Sequence, residues 1–406
     1  MDRRTLLKSL VAAALGGCGP RLTETNQLRV VVAGAGIVGA SIAYHLARAG
    51  ASVTVIDKQG PATHASRGTF AWINATWAKQ PRHYHALSQD GVANWRDLQE
   101  SLQLPVRWGG SLEWFDSDER QELLATQIAE QVEWGEPARM VDASEIAALE
   151  PGLNIDPGVS AAYSPNDGAV DPIIATQGLL GAAERFGATV SYPCELLDAS
   201  ISGGRLASVE TSIGSIRADR LVLATGAAPG PPGVVAGIDV PQRSTPGIIA
   251  LTRPMPRLVN RIVVAPGIHM HQRDDGRIVL GEQDGAPDNE AHALRLEGRP
   301  NDFPDEIIAR QHGDRMLDIA ARFVPDIGGA EFEAAYIGWR PLPLDGHPVL
   351  GASPARPDVY LAIMHSGVSL APIVGQLVAR ELIEGAVIEG LEPYRPTRTF
   401  ERVERY

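Results

Sequence analysis

Leu28-Arg-Val-Val-Val-Ala-Gly-Ala-Gly-Ile-Val-Gly39, followed by Val53-Thr-Val-Ile-Asp57, decides how this chain folds. The first apolar run reads as a buried strand, and the glycines as a tight turn. A helix is predicted from Ile37 to about Ala49, then a second strand with an acid at its tip. Gly34 permits the turn, Gly36 lets a pyrophosphate approach the backbone, and Gly39 lets the helix pack closely on the strand. The free amides at Ile37 and Val38, with the positive end of the helix dipole, suit phosphate oxygens. Asp57, followed by Lys58, is placed to accept hydrogen bonds from ribose hydroxyls. A glycine-rich turn without function is the bland alternative. The two framing strands and the acid favour an adenine dinucleotide.

Composition narrows the classes further. A chain of 406 residues, 44% apolar and 21% charged, is long enough for two cores and has the balance of a globular protein. With 36 basic and 49 acidic residues the net charge is −13, which argues against nucleic acid or anionic lipid as the main partner. Cys18 and Cys194 are the only cysteines, too few for a disulfide framework or a thiolate metal site, and no metal is expected.

Residues 1–27 read as an export signal and linker. Asp2-Arg-Arg-Thr-Leu-Leu-Lys8 precedes the short apolar run Leu10–Gly17. As a helix that run spans about 12 Å, too short for a bilayer. Arg3-Arg4 resembles a twin-arginine signal, and Leu15-Gly-Gly-Cys18 a lipobox in which Cys18 would carry lipid. Periplasmic or lipid-anchored location is the expectation, with a cytoplasmic protein bearing an N-terminal extension as the alternative.

Along the chain, Gln59–Gln80 looks like a loop that covers a cofactor. Helices are predicted at His85–Leu102, Ser117–Trp134, Ala143–Leu149, Pro172–Phe186 (with Asp171 as N-cap), Pro304–Phe323 and Leu370–Glu384. Val106–Phe115, with Gly109-Gly110 inside, reads as a hairpin. Strands are expected at about 188–192, 195–201, 206–212, in Ile216–Gly226, and at Pro246–Arg253, Arg261–Glu282, Glu331–Arg340 and Val359–Met364. The Pro/Gly-rich stretch Ala228–Gly237 suggests a crossing between domains. Dinucleotide-fold pieces fall at 28–79, 155–240 and 336–395, a substrate domain at 80–154 and 241–335, and a tail at 396–406.

Three stretches together resemble the flavin-dependent amine oxidoreductases of the D-amino-acid oxidase, glycine oxidase and sarcosine oxidase superfamily. They are the N-terminal unit, Asp167-Gly-Ala-Val-Asp171-Pro172 leading to Leu221-Val-Leu-Ala-Thr-Gly226, and Gly338-Trp-Arg340-Pro341 through Asp345-Gly346-His-Pro348 to His365-Ser366-Gly367-Val-Ser-Leu-Ala-Pro372. The resemblance implies an α/β chain with a discontinuous Rossmann-like FAD-binding domain and an α+β substrate domain bearing a mainly antiparallel sheet. It implies FAD, held non-covalently, in place of NAD. A C-terminal segment returning to the dinucleotide fold suits a buried flavin, whereas a nicotinamide enzyme has no need of one.

Roles for further residues follow. Ser66, Arg67 and Gly68 are read as pyrophosphate donors, with a solvent loop as the alternative, and Thr225 and Gly226 as passing the adenine side. The amides from Ser366 and Gly367 through Val368 and Ser369 would face flavin N1 and the C2 carbonyl, where charge collects on reduction. His365 either joins them or packs beneath the ring. The superfamily's arginine that pairs with a substrate carboxylate maps to Arg340, since a planar guanidinium matches a carboxylate bidentately; a structural ion pair is the alternative. Asp345 would shape a turn and touch the flavin. His269 and His271 would both face it from a cap strand, or serve structure alone. Departures are Asp57 where the superfamily more often has Glu, Met364 in place of glycine, and the lack of a C-terminal cysteine for a covalent link. His64 matches a histidyl-flavin site poorly, and Tyr336 is a candidate for a carboxylate-holding tyrosine.

The implied reaction is hydride transfer from the carbon bearing a neutral amine (a D-amino acid, glycine or N-methyl amino acid) to flavin N5, after which the imine hydrolyses. Electrons then pass to oxygen or to a quinone or carrier. A 2-hydroxy-acid dehydrogenase, a non-catalytic FAD-binding assembly factor and an amino-acid-binding lipoprotein are the alternatives.

Overall fold

The computed structural model describes residues 27–76, 79–228, 231–282 and 298–403. The export and lipidation readings, Arg3, Arg4 and Cys18 included, lie outside the described residues. The first sheet has six strands, in the order Val349–Ala352, Val359–Ile363, Arg220–Leu223, Arg29–Ala33, Ser52–Ile56 and Thr189–Ser191. All neighbours run parallel except Val349–Ala352, which is antiparallel at one edge. The central place of Arg29–Ala33 explains its unbroken apolar run. Val30 and Val32 enter the core on one face, and Val31 and Ala33 on the other, so neither side tolerates a polar residue.

Helices Ile37–Arg48, Arg82–Leu102, Pro172–Arg185 and Gly367–Glu384 cover the first face. The third starts as its sequence demands: Asp171 accepts hydrogen bonds from the amides of Ile173 and Ile174 at 2.9 and 3.1 Å, and Pro172 occupies the first turn. Gly91 lets Arg82–Leu102 lie directly on the last helix, where a Cβ would run into the Ser369 carbonyl. Trp95 Nε1 locks the same contact by donating to the Val368 carbonyl at 2.7 Å. On the opposite face lies an antiparallel meander, Leu196–Ser202, Arg205–Thr211 and Gly214–Arg217. The stretch expected as a domain crossing contains a helix, Pro231–Ala236, whose Val235 and Ala236 are buried in this second face.

The larger sheet has eight strands: Phe332–Pro343, Gln242–Thr252, Ile278–Glu282, Ile268–Gln272, Ile262–Ala265, Ser111–Glu113, Ser160–Ser164 and Arg139–Asp142. Its joins are antiparallel except that between Ile262–Ala265 and Ser111–Glu113. Helix Glu306–Phe323 sets Met316, Leu317 and Ala320 against Ile248, Val263, Met270 and Leu280.

Val106–Phe115 is not a hairpin. Val106–Trp108 pairs with Gly168–Val170 in a small three-stranded sheet with Trp72–Ile73, while Ser111–Glu113 joins the larger sheet. Gly109 and Gly110 carry the chain from one to the other; alternation marked the strands but not their partners. Two boundaries also move. Ser160–Ser164, which fell in 155–240, belongs to the eight-stranded sheet, and Phe332–Pro343 runs as one strand across 335 and 336. Ser-Ala-Ala-Tyr-Ser is too small and weakly patterned to announce which sheet it joins. No helix among the described residues is long and apolar enough to cross a membrane.

Gly91→Val should force the two helices apart and cost about 1–3 kcal/mol, the usual range for overpacking. Denaturant unfolding of the variant would show a lower midpoint with an unchanged slope.

Candidate active site

A cavity of about 1180 Å³ runs from the Gly34–Gly39 turn to Arg340, between the two large sheets. That exceeds the roughly 300–1,000 Å³ of a typical small-molecule site and leaves room for a dinucleotide with a second small ligand. At one end the turn is set by contact. A side chain on Gly34 would strike the Ala224 carbonyl, and one on Gly39 would strike the Gly34 carbonyl. Gly36 lines the cavity, and a Cβ there would sit 3.0 Å from Ser66 Oγ. Gly39 itself stays behind the wall, as a packing residue.

The side chains meant for the dinucleotide have structural work as well. Asp57 accepts the backbone amides of Ala35, Gln59 and Gly60, each at 2.9 Å. A carboxylate has about four acceptor sites, so roughly one remains for a ribose hydroxyl. Ser66 Oγ accepts the Ile37 amide at 3.0 Å, capping the helix whose end faces the cavity. Lys58, Ser66, Gly68, Thr225 and Gly226 line the wall. Thr225 Oγ1 is buried and has no hydrogen-bond partner among the described residues, as a hydroxyl awaiting a ligand would be.

Arg67 differs from expectation. It pairs with Asp302 at 2.6 Å, donates to the Asn301 carbonyl and stacks on Tyr336 at 4.6 Å, so neither Arg67 nor Tyr336 lines the cavity. Asp345 also turns away. Burial pushes its carboxyl up, but two hydrogen bonds and the charge of Arg398 (2.7 and 3.0 Å) outweigh that and hold it below the usual range. It anchors the C-terminal segment. His64 does line the wall, with Nδ1 against Asn301.

Arg340 points into the cavity from Phe332–Pro343 and donates to the Pro246 carbonyl at 3.2 Å. Its guanidinium passes over Gly247, where a Cβ would lie 2.7 Å from Nη2. The two histidines share one face of their strand, as period two requires, but only His269 reaches the cavity. His271 is buried behind Phe70, with Nε2 3.0 Å from the Phe70 carbonyl. Burial, then the charge of Arg273, pulls its pKa down to about 3, so it is neutral and remote from the chemistry.

His365, Ser366, Gly367, Val368 and Ser369 line the cavity at the start of the last helix, which begins at Gly367, a turn earlier than its periodicity suggests. Met364 is buried in the floor beside them. Ser369 Oγ donates to the Trp72 carbonyl at 3.0 Å and accepts the Asn74 amide at 3.1 Å, tying this helix to the covering loop. That loop supplies residues the sequence reading missed: Phe70, Trp72, Asn74 and Lys79. The only signal for them was the loop's content of small and aromatic residues. Trp72 is braced from behind by Asp167, which accepts Trp72 Nε1 at 2.8 Å and Ser111 Oγ at 2.7 Å. Burial pushes the Asp167 pKa up to about 7, against these hydrogen bonds, and pushes Glu113 well up too.

The FAD dependent oxidoreductase (DAO) family model matches residues 29–381, and the chain belongs to that family. It is 26% identical to glycine oxidase of Geobacillus kaustophilus over 390 residues, 93% of this chain and 99% of that one. It is also 26% identical to an opine oxidase subunit of Agrobacterium tumefaciens, over 92% of this chain and 98% of the relative. Among solved structures, L-proline dehydrogenase of P. horikoshii superposes with a TM-score of 0.78 at 23% identity, covering 91% of this chain and 97% of the other. The cofactor is FAD, and the glycine turn, the orphaned Thr225 hydroxyl and the amide end of the last helix fit it.

Gly36→Val should fill the pyrophosphate approach and yield protein without flavin absorbance near 450 nm. Asp167→Asn tests the buried acid. Because its native pKa near 7 exceeds the unfolded value, stability falls as pH rises from about 4 through 7 and the whole penalty is present above 7. The variant should recover up to about 4 kcal/mol at pH 8 and little at pH 4, read from denaturant midpoints at both.

Proposed function

We propose that this FAD-dependent oxidoreductase oxidises a small amine or amino acid that carries a carboxylate, and that Arg340 holds the carboxylate. The observation that carries this reading is the guanidinium itself: it enters the same cavity as the dinucleotide turn, on a strand, with space cleared for it by Gly247. When bound, FAD supplies the acceptor for a hydride from the carbon bearing nitrogen. The chain's own contribution is orientation and shelter. Arg340 fixes one end of the substrate, while Phe70, Trp72 and Met364 give the cavity apolar walls that exclude water. His269 lines the same space. The activities for which the two relatives are named, glycine oxidation and opine oxidation, support an amine bearing a carboxylate. The twin-arginine pattern at Arg3-Arg4 supports export of the folded, flavin-loaded protein, which fractionation of cells expressing the full chain would check.

Anaerobic addition of a panel of glycine, D-amino acids, L-proline and N-methylglycine should bleach the 450 nm band with one of them. Arg340→Ala should keep its FAD and lose about 100-fold or more in apparent affinity for that substrate, as expected for removing a charged, two-pronged hydrogen bond. Bleaching by 2-hydroxy acids alone would overturn the amine reading and leave the arginine's role intact.

A further inference from the structure

Lys79 is a buried cation on the wall of the FAD cavity, only 4% exposed. Its ammonium donates to Ser366 Oγ at 2.8 Å and lies 5.2 Å from the centre of the Tyr84 ring. Among the described residues it forms no ion pair. The nearby buried carboxylate, Glu136, is engaged by Gln89 Nε2 at 2.9 Å and faces His85 Nε2 at 3.6 Å. A buried charge with no counter-ion is costly unless a ligand supplies the opposite charge.

The residue it grips is also unusual. Ser366 has φ of 56°, in the left-handed region, which a non-glycine residue keeps only when its surroundings impose it. Lys79 on one side and His365 Nδ1, 3.2 Å from the same hydroxyl, do so here. The next residue, Gly367, opens an 18-residue helix whose free amides point the same way. Gly367 itself packs beside Val38, so this positive end meets the cavity next to the dinucleotide turn.

We propose that Lys79, acting through Ser366 and the amide end of the last helix, sets the electron affinity of the bound flavin. Two electrons and one proton convert oxidised flavin to its anionic reduced form, and the added negative charge spreads over N1 and the C2 carbonyl. Of the groups FAD brings beyond its pyrophosphate, that edge is the one that gains negative charge, and it matches a buried ammonium with helix amides. Lys79 is a positioning and electrostatic residue in this scheme. The proposal rests on FAD occupancy and not on the identity of the substrate.

The test uses FAD-loaded Lys79→Met, of similar length without the charge. Sulfite, which adds to flavin N5 and leaves the same negative charge at N1, is the first probe. Its affinity should fall roughly 100-fold, and the two-electron midpoint potential, titrated with dithionite, should drop by about 60 mV, the same factor at about 30 mV per decade. Lys79→Arg should restore most of both. Unchanged sulfite affinity and potential in Lys79→Met would overturn the proposal. A rise in substrate KM with the potential unmoved would do so too, assigning Lys79 to a substrate anion. Where Lys79→Met does not retain FAD, Lys79→Gln, which keeps a hydrogen bond to Ser366, serves for the same two readings.

Discussion

The backbone at Gly34 has no room for a side chain on either flank, and the rest of the molecule is arranged around that constraint. Its own Cβ would strike the Ala224 carbonyl, and a Cβ on Gly39 would strike the Gly34 carbonyl. The central strand, its helix and the strand Arg220–Leu223 are therefore closer together than ordinary residues permit. Asp57 clamps the other side of the turn through three amides. A helix end facing the cavity results, although its first amide, at Ile37, was expected to be free and is instead capped by Ser66 Oγ. Two later segments close on the same point. Gly367 brings the last helix against Val38, and Gly338 lets Phe332–Pro343 press against the Gly68 backbone.

Electrostatics follows from that enclosure. Cations, Arg340 and Lys79 among them, line the wall of the cavity that takes the anionic cofactor. Behind Trp72 the chain does the reverse. Asp167 and Glu113 are fully buried near one another, and burial drives both towards the protonated form. Burial thus weakens the negative charge behind Trp72, while Asp167 still accepts its indole N–H. Neutral His271 belongs to the same pattern, since burial and the charge of Arg273 disfavour a charged imidazole behind Phe70.

Much of this was legible because some residues have a single physical use. A Gly-x-Gly-x-x-Gly run between two apolar strands allows few other geometries, and Asp171-Pro172 leaves little choice about where a helix starts. Arg340 had two readings, substrate carboxylate or structural ion pair, and the structure shows that it lines the cavity. Residues with many uses misled. Arg67 and Asp345 are charged and lie in motifs, yet each found an ionic partner, Asp302 and Arg398, far away in sequence. His271 had the right period but not the right depth, because Phe70 comes from another element. Lys79 was invisible for the opposite reason. A lone lysine in a loop reads as solvated until the fold shows it buried against Ser366.

Arg340 and the other residues of the wall reach the cavity by different routes. Phe332–Pro343 pairs with Gln242–Thr252 along almost its whole length, with one irregularity, at Leu251 and Thr252, far from the arginine. Arg340 lies opposite Thr245, rests on the Pro246 carbonyl and fills the space that Gly247 leaves. A guanidinium held in this way has little freedom left to lose on meeting a ligand. Arg299 and Asn301, by contrast, enter from the connection before Glu306–Phe323, and Trp72, Asn74 and Lys79 from the covering loop. Loops tolerate replacement where a paired strand does not. The cavity therefore combines one wall fixed by strand pairing with walls that can vary.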